Sequence, residues 1–244
     1  MRWALSATAL LALLACGGAA RGQTTDLLLV LAADVSRSID ESEFALQRKG
    51  YSAAVTDPRV LAAIRGGARG SIAICFVEWS GAGEQNIVVD WTVIHDEEDA
   101  GGLAAAILAA PRSFIGRTSI SGAIDFAMER LVAAQPRANR RIIDISGDGT
   151  NNSGRPVTDA RDEAVAQGVT INGLAILNDK PNPGYAFHTQ PPGGLAEWYR
   201  QNVIGGPGSF LRVVEDFHSF ADAMTNKLVS EIAAMSPLQD AALR

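Results

Sequence analysis

The sequence has little of what several protein classes require. Its 2 cysteines are too few for a disulfide framework, and its 3 histidines form no pair at a zinc-ligand spacing, either with each other or with a cysteine. It has no run of Lys or Arg, and its formal net charge of -6 argues against nucleic acid as a partner. It also contains no Gly-x-Ser-x-Gly motif and no Gly-rich phosphate loop with a lysine, so serine-hydrolase and nucleotide chemistry lack support.

The chain does contain enough apolar sequence for one packed domain. Hydrophobic residues make up 47% of its 244 positions, which is too many for a disordered chain. Its 24 Gly and 10 Pro are too few for a collagen-like or low-complexity polymer. We therefore expect one globular domain of α/β size.

The amino-terminal residues predict export. An apolar run at 4–15 follows Arg2 and is too short to span a bilayer as a mature helix. We expect a signal peptide over 1–22, cut before Gln23, and a periplasmic or secreted protein. The alternative is a lipoprotein anchored at Cys16, and lipidation is the only membrane association expected. Cleavage removes two arginines and no acidic residue, so the net charge becomes -8. The domain is then expected at 23–235 and a tail at 236–244.

Apolar patterns predict strands from residue 26 onward. The run 26–33 is continuously apolar after Asp26, as is typical of a strand covered on both faces of a parallel sheet. Runs at 71–79 and 86–94 are separated only by the turn at 80–83, so we expect the third strand to be antiparallel. Three more strands are predicted at 141–146, 169–177 and 209–214.

Helical patterns fill the segments between these strands. Phe44, Tyr51 and Val55 predict one crossover helix after an acidic cap. The acids at 96–99 indicate the amino-terminal end of a helix that stops at Pro111. Further helices are predicted from Thr118 to before Pro136, at 160–167, around Trp198 and from Phe217 to Ile232. The alternation predicts a doubly wound α/β fold: a mostly parallel six-stranded sheet with one antiparallel edge strand and helices on both faces.

Oxygen-bearing side chains follow the first strand at every second residue. They are Asp34, Ser36 and Ser38, at the carboxyl end of a strand, which is where an open α/β sheet binds its ligand. Carboxylate and hydroxyl oxygens are the ligands that a hard cation such as Mg²⁺ prefers. The spacing therefore predicts a metal site at this edge.

Two further oxygen donors occur at equivalent edges. Thr118 lies where a helix opens, and Asp148 follows the strand at 141–146. Parallel topology brings these loops to the same rim as the first. The alternative is that Asp34 and Ser36 cap the following helix and that Asp148-Gly149 is an ordinary turn.

Together these motifs resemble the von Willebrand factor type A (vWA) domains, which carry a metal-ion-dependent adhesion site. The resemblance rests on Asp34-x-Ser36-x-Ser38, on the single Thr and on the Asp-Gly pair, and it spans nearly the whole mature chain. The segments 76–81 and 143–149 are most similar to an uncharacterised bacterial branch of vWA-like domains, a domain of unknown function. The resemblance implies a Rossmann-like vWA fold.

The resemblance implies a Mg²⁺ site, with Mn²⁺ or Ca²⁺ as alternatives. Some of the protein ligands would bind the ion through water. Its implied ligands are two carboxylates and three hydroxyls: Asp34, Asp148, Ser36, Ser38 and Thr118. One position departs from the family pattern, since Gly147 intervenes between Ser146 and Asp148 where many members have Thr-Asp-Gly or Ser-Asp-Gly.

The implied function is a protein-binding module without catalytic activity. Two negative charges leave a divalent ion electrophilic enough to take an acidic side chain from a partner protein. A metal-dependent hydrolase is a second hypothesis, and it requires a general base, for which Glu78 and Asp144 are the nearby candidates. A third is a structural vWA domain with a vestigial metal site.

Overall fold

The computed structural model of the chain describes residues 23–177, Gly184 and residues 186–233. The predicted signal peptide, with Cys16, and the tail at 236–244 lie outside the described residues, so the domain boundaries remain predictions. Within the described ranges, no helix combines the length and the apolar character needed to cross a bilayer.

Six strands form a single sheet. They are β1 (Leu27–Asp34), β2 (Ile72–Trp79), β3 (Gln85–Ile94), β4 (Arg140–Gly147), β5 (Thr170–Ile176) and β6 (Leu211–Val214). Their order across the sheet is β3-β2-β1-β4-β5-β6. The edge strand β3 is antiparallel to β2, and the other neighbours are parallel. This confirms the predicted sheet, including its one antiparallel edge.

The described helices alternate with these strands. They are α1 (Glu41–Thr56), α2 (Pro58–Arg65), α3 (Glu97–Ala109), α4 (Ile120–Ala133), α5 (Val157–Ala166), α6 (Ala186–Thr189), α7 (Leu195–Asn202) and α8 (Phe220–Ala233). The helix predicted from Phe44, Tyr51 and Val55 after an acidic cap is confirmed as α1, and a second helix that was not predicted, α2, completes the connection between β1 and β2. Pro58 disfavours helical backbone at Asp57, which ends α1 and then caps α2 by accepting a hydrogen bond from the Arg59 amide.

Two apolar layers cover the faces of the sheet, as predicted. Along β1, Leu29 and Leu31 pack on the side of α1, α2, α3 and α8. Leu28 and Val30 point the other way and pack with α4, α5 and α7. Every residue of β1 is buried, which explains why its sequence is continuously apolar rather than alternating.

Candidate metal centre at the carboxyl ends of the strands

The strand register brings the loops after β1 and β4 together. Asp34, the last residue of β1, pairs with Trp79 of β2, while Ala33 pairs with Ser146 of β4. Asp148 therefore follows β4 at the level where the chain leaves β1. Both Asp34 and Asp148 are fully buried at this edge.

The loop after β1 is held in one conformation by polar contacts. The Ser36 amide donates to Asp34 Oδ1 at 2.7 Å, and Ser36 Oγ lies 3.2 Å from Ser38 Oγ. From outside the loop, Arg112 Nη2 donates to the carbonyl oxygens of Val35, Ser36 and Ile39 at 2.8–2.9 Å. The alternating oxygen side chains thus sit on a fixed backbone.

The alternative role of Asp34 and Ser36 as helix caps is not what the fold shows. The cap of α1 is Asp40, which accepts hydrogen bonds from the amides of Ser42 and Glu43. Asp34 precedes Asp40 in the loop, and its Oδ1 accepts a hydrogen bond from the Ser36 amide of that loop rather than from α1. Its burial needs a different explanation.

Direct hydrogen bonds connect the three loops of the rim. Ser38 Oγ donates to Asp148 Oδ1 at 2.6 Å, and the amide of Arg37 donates to the carbonyl of Gly116 at 3.0 Å. Thr118 and Asn152 form a reciprocal pair: the Thr118 amide donates to Asn152 Oδ1 at 3.0 Å, and the Asn152 amide donates to the Thr118 carbonyl at 2.9 Å. Thr118 is therefore tied to the segment that carries Asp148.

Neither buried carboxylate forms an ion pair with a described residue, and the charge of Arg112 offsets only part of the effect of burial on Asp34. Burial, and then the neighbouring Asp148, raises the pKa of Asp34 well above its usual range. Burial also raises the pKa of Asp148 to about 7, against the lowering effect of the Ser38 hydrogen bond. Among the described residues, neither Asp34 Oδ2 nor Asp148 Oδ2 has a hydrogen-bond partner. Unpartnered buried carboxylate oxygens of this kind are expected where a cation belongs.

The donor set suits a hard cation bound by oxygen. The described part of the chain contains no cluster of three or more His, Cys, Asp or Glu side chains that could hold a metal ion. Two carboxylates and several hydroxyls make up the set here, a composition that fits Mg²⁺, Mn²⁺ or Ca²⁺ better than a tetrahedral zinc site.

The five residues singled out in the sequence all lie at this rim. Direct contacts join Asp34 to Ser36, Ser36 to Ser38 and Ser38 to Asp148. Thr118 is buried beside them, and its hydroxyl contacts a residue that the sequence pattern did not predict.

That residue is His188 of α6. Its Nε2 lies 2.9 Å from Thr118 Oγ1 and its Nδ1 lies 3.2 Å from Thr150 Oγ1, while the Thr150 amide donates to the His188 carbonyl. The ring also covers Gly149, where an added Cβ would overlap the imidazole. Burial, followed by the charge of Arg117, lowers the pKa of His188 to about 4.

The sequence pattern does not single out His188, because no other histidine or cysteine lies at a ligand spacing from it. One weak signal in the sequence concerns this residue: the segment that contains His188 follows β5, and the carboxyl end of β5 lies at the same rim as Asp148.

Gly147 is explained by a close approach. A Cβ at this position would lie 2.8 Å from Asp34 Oδ2 and 2.8 Å from the hydroxyl of Tyr199. Tyr199 is fully buried, and burial raises its pKa, with Asp34 and Asp148 adding to the effect. The departure from the family pattern thus makes room for Tyr199 against Asp34.

Solved structures share this fold at low sequence identity. Proximal thread matrix protein 1 of the mussel byssus is 14% identical with a TM-score of 0.62, covering 86% of this chain and 49% of its own. A von Willebrand factor type A protein of Catenulispora acidiphila is 14% identical with a TM-score of 0.58, covering 85% and 43%. The pilus adhesin SpaC of Lactobacillus rhamnosus GG is 14% identical with a TM-score of 0.61, covering 85% and 31%.

This chain thus spans less than half of each of these proteins, and the likeness concerns the fold. Comparison with curated protein sequences finds no match. A family described as "Protein of unknown function (DUF1194)" matches residues 24–236, which is most of the chain. The sheet order and these structures establish the vWA fold. Because the family match covers most of the chain, the protein belongs to the DUF1194 family.

Proposed function

We propose that this protein is an exported module that binds a partner protein through a divalent cation, Mg²⁺ in the first place. The ion would be held by two carboxylates and three hydroxyls, directly or through water: Asp34, Asp148, Ser36, Ser38 and Thr118. When bound, the ion supplies an electrophilic position for an acidic side chain of the partner.

One observation carries this proposal. Asp34 and Asp148 are completely buried, the charge of Asp148 raises the pKa of Asp34, and each carboxylate keeps an oxygen without a hydrogen bond inside the described chain. Burying two carboxylates without an ion-pair partner costs several kcal/mol. A divalent cation removes this cost, and Ser36 and Ser38 are already directed to the same place.

The comparisons support the coarser part of the proposal. The neighbours with the same fold include a pilus adhesin and a byssus matrix protein, and one structure of the latter has a zinc-occupied MIDAS motif. These facts favour protein binding and a divalent-metal site. The choice of Mg²⁺, the acidic ligand and the export are proposals for this chain.

The hydrolase hypothesis gains no support from its two candidate bases. Glu78 is buried, pairs with Arg48 at 2.5 Å and accepts from the Ser113 amide. Asp144 is buried 2.7 Å from Lys227 Nζ. Both carboxylates lie against a cation in the core, Arg48 or Lys227, rather than at an open site, which favours a binding role for the metal.

The test is calorimetric titration of the purified protein with Mg²⁺ and Mn²⁺. We expect the wild type to bind one ion, and Asp34→Asn and Asp148→Asn to bind at least about tenfold more weakly. Asp162→Asn, on the exposed side of α5, is the matched control and should bind like the wild type. Absence of binding by the wild type would overturn the metal site.

Folding of the variants is checked separately by urea unfolding in chelator. Asn removes a buried charge, so Asp34→Asn should be at least as stable as the wild type without metal and should gain no stability when Mg²⁺ is added. A wild type that gains no stability from Mg²⁺ would contradict the proposal by an independent measurement.

Export is tested by fractionation and by the amino terminus of the mature protein. A terminus at Gln23 supports simple cleavage of 1–22, and a lipid-modified Cys16 supports anchoring. Retention of Met1 in the cytoplasm contradicts export.

A further inference from the structure

A cavity of about 290 Å³ adjoins the candidate metal centre. Ser38 and Thr118 belong to both, so the cavity and the centre share a wall. Arg37 and Arg117 are among its other lining residues, together with Phe187, whose side chain is 95% exposed. An occupant of this cavity would therefore reach the proposed cation position from the side.

The two arginines of this cavity have no ion-pair partner in the part of the chain that the structure describes. The charge of Arg37 contributes to lowering the pKa of Glu84, but neither Arg37 nor Arg117 has a described carboxylate within ion-pair distance. Two other arginines near the carboxyl ends of the strands differ: Arg48 pairs with Glu78, and Arg112 contacts Glu41 at 3.0 Å. Arg117 Nη2 donates to the carbonyl of Asn152 at 2.7 Å, which holds the guanidinium at the mouth of the cavity.

This local charge opposes the charge of the whole protein. The chain carries -6, so its long-range field disfavours an acidic partner. That field is screened beyond about 8 Å at physiological ionic strength, whereas contacts at Arg37 and Arg117 act at short range. Guanidinium groups bind carboxylates by paired hydrogen bonds, which makes an acidic side chain the complementary ligand.

We infer that the partner presents two acidic side chains on one segment: the first completes the metal centre and the second binds Arg37 and Arg117 in the adjoining cavity. This inference rests on the proposed function and adds the chemistry of the partner to it. Because Ser38 and Thr118 form the shared wall, a single short segment can occupy both places. The second acidic group then distinguishes the cognate segment from any single exposed Asp or Glu.

The experiment uses blocked peptides that differ by one group. Each contains an Asp, followed after one, two or three glycines by either Glu or Gln, and each is titrated into the protein saturated with Mg²⁺. For at least one spacing, we expect the Glu peptide to bind at least about fivefold more tightly than its Gln twin, the contribution of one charge-assisted pair. The preference should decrease in high salt.

Two variants assign the effect to the cavity. The double variant Arg37→Gln/Arg117→Gln should bind the Glu and Gln peptides equally, while its Mg²⁺ titration checks that the metal centre is intact. Arg69→Gln is the matched control. Arg69 lies just before β2, at the amino ends of the parallel strands and away from the cavity, so its loss should leave the preference for Glu unchanged.

The outcomes separate the inference from the proposed function. Equal binding of the Glu and Gln peptides at every spacing, with Mg²⁺-dependent binding of both, overturns the inference and leaves the function. A preference that persists in the double variant also overturns it. If neither peptide binds in a Mg²⁺-dependent way to protein that holds the ion, the carboxylate-binding function is overturned and the inference with it.

Discussion

The hydroxyl of Ser38 donates a 2.6 Å hydrogen bond to Oδ1 of Asp148 across 110 positions of sequence. This contact joins the loop after β1 to the loop after β4 at the buried end of the sheet. It satisfies one oxygen of Asp148 and leaves the other directed into the candidate centre without a partner from the described chain. Ser38 thus both orients Asp148 and offers an oxygen of its own.

Ser38→Ala should weaken Mg²⁺ binding by about tenfold, because it removes one oxygen donor and the hydrogen bond that orients Asp148. Titration calorimetry measures the change. Ser42→Ala is the matched control, since the Ser42 hydroxyl is exposed on α1 and contacts Asp40 away from the centre. Equal Mg²⁺ affinity of Ser38→Ala and wild type would contradict a ligand role for Ser38.

Much of this centre could be predicted because its signals are local. The run ending at Asp34 has the continuous apolar pattern of a central strand, and Ser36 and Ser38 follow at fixed spacing. Once β1 and β4 are recognised as parallel neighbours, Asp148 must emerge on the same rim as Asp34. Thr118 could be predicted because it lies just before the apolar pattern of α4.

The remaining features depend on contacts between distant segments, which no local pattern encodes. His188 reaches Thr118 across 70 positions, and nothing in its own neighbourhood marks it. The need for Gly at 147 arises from Tyr199, which comes from a helix after the next strand. By contrast, the break between α1 and α2 was encoded locally in Asp57-Pro58 and could have been predicted.

Gly147→Ala should destabilise the protein by about 1–3 kcal/mol and weaken Mg²⁺ binding, because the new methyl group would overlap Asp34 Oδ2 and the Tyr199 hydroxyl. Urea unfolding and metal titration measure the two effects. Gly102→Ala provides the control: it lies within α3 with no atom within 4 Å of the added carbon, and it should stabilise the helix. A neutral Gly147→Ala would show that Tyr199 can move away at no cost.

A buried charge cluster elsewhere in the core gives a prediction about pH. Asp144 and Glu231 both contact Lys227, and all three side chains are fully buried, with the Tyr51 ring packed on the same side of the sheet. Burial raises the pKa of Asp144 to about 7; Glu231 adds to the effect and Lys227 opposes it. In the unfolded chain the pKa of Asp144 has its ordinary value of 3.8. Between this pH and about 7, the folded state therefore keeps a proton on Asp144 that the unfolded chain has released.

The contribution of Asp144 to folding stability should accordingly fall as the pH rises from about 4 to 7. Asp144→Asn lacks this titration, so the free energy of unfolding of the wild type should decline relative to that of the variant by about 1–4 kcal/mol across this window. Urea unfolding over the pH range measures the difference. Ile143→Val, a packing change without a titratable group, should give a difference from wild type that is flat with pH. Parallel wild-type and Asp144→Asn curves would contradict the shift.

His188 covers one side of the candidate centre, since its ring contacts Thr118 Oγ1 and lies on Gly149. His188→Ala should therefore open the bound ion to solvent, and water-proton relaxation of the Mn²⁺-loaded protein should increase by about the contribution of one exchangeable water. His218→Ala, exposed after β6, should relax water like the wild type. Unchanged relaxation in His188→Ala would show that the ring does not shield the ion.

A loss of Mn²⁺ affinity of about tenfold in His188→Ala would instead identify the imidazole as a ligand. A cover leaves the affinity of the ion nearly unchanged and competes only with the partner, so the two measurements together distinguish a cover from a ligand.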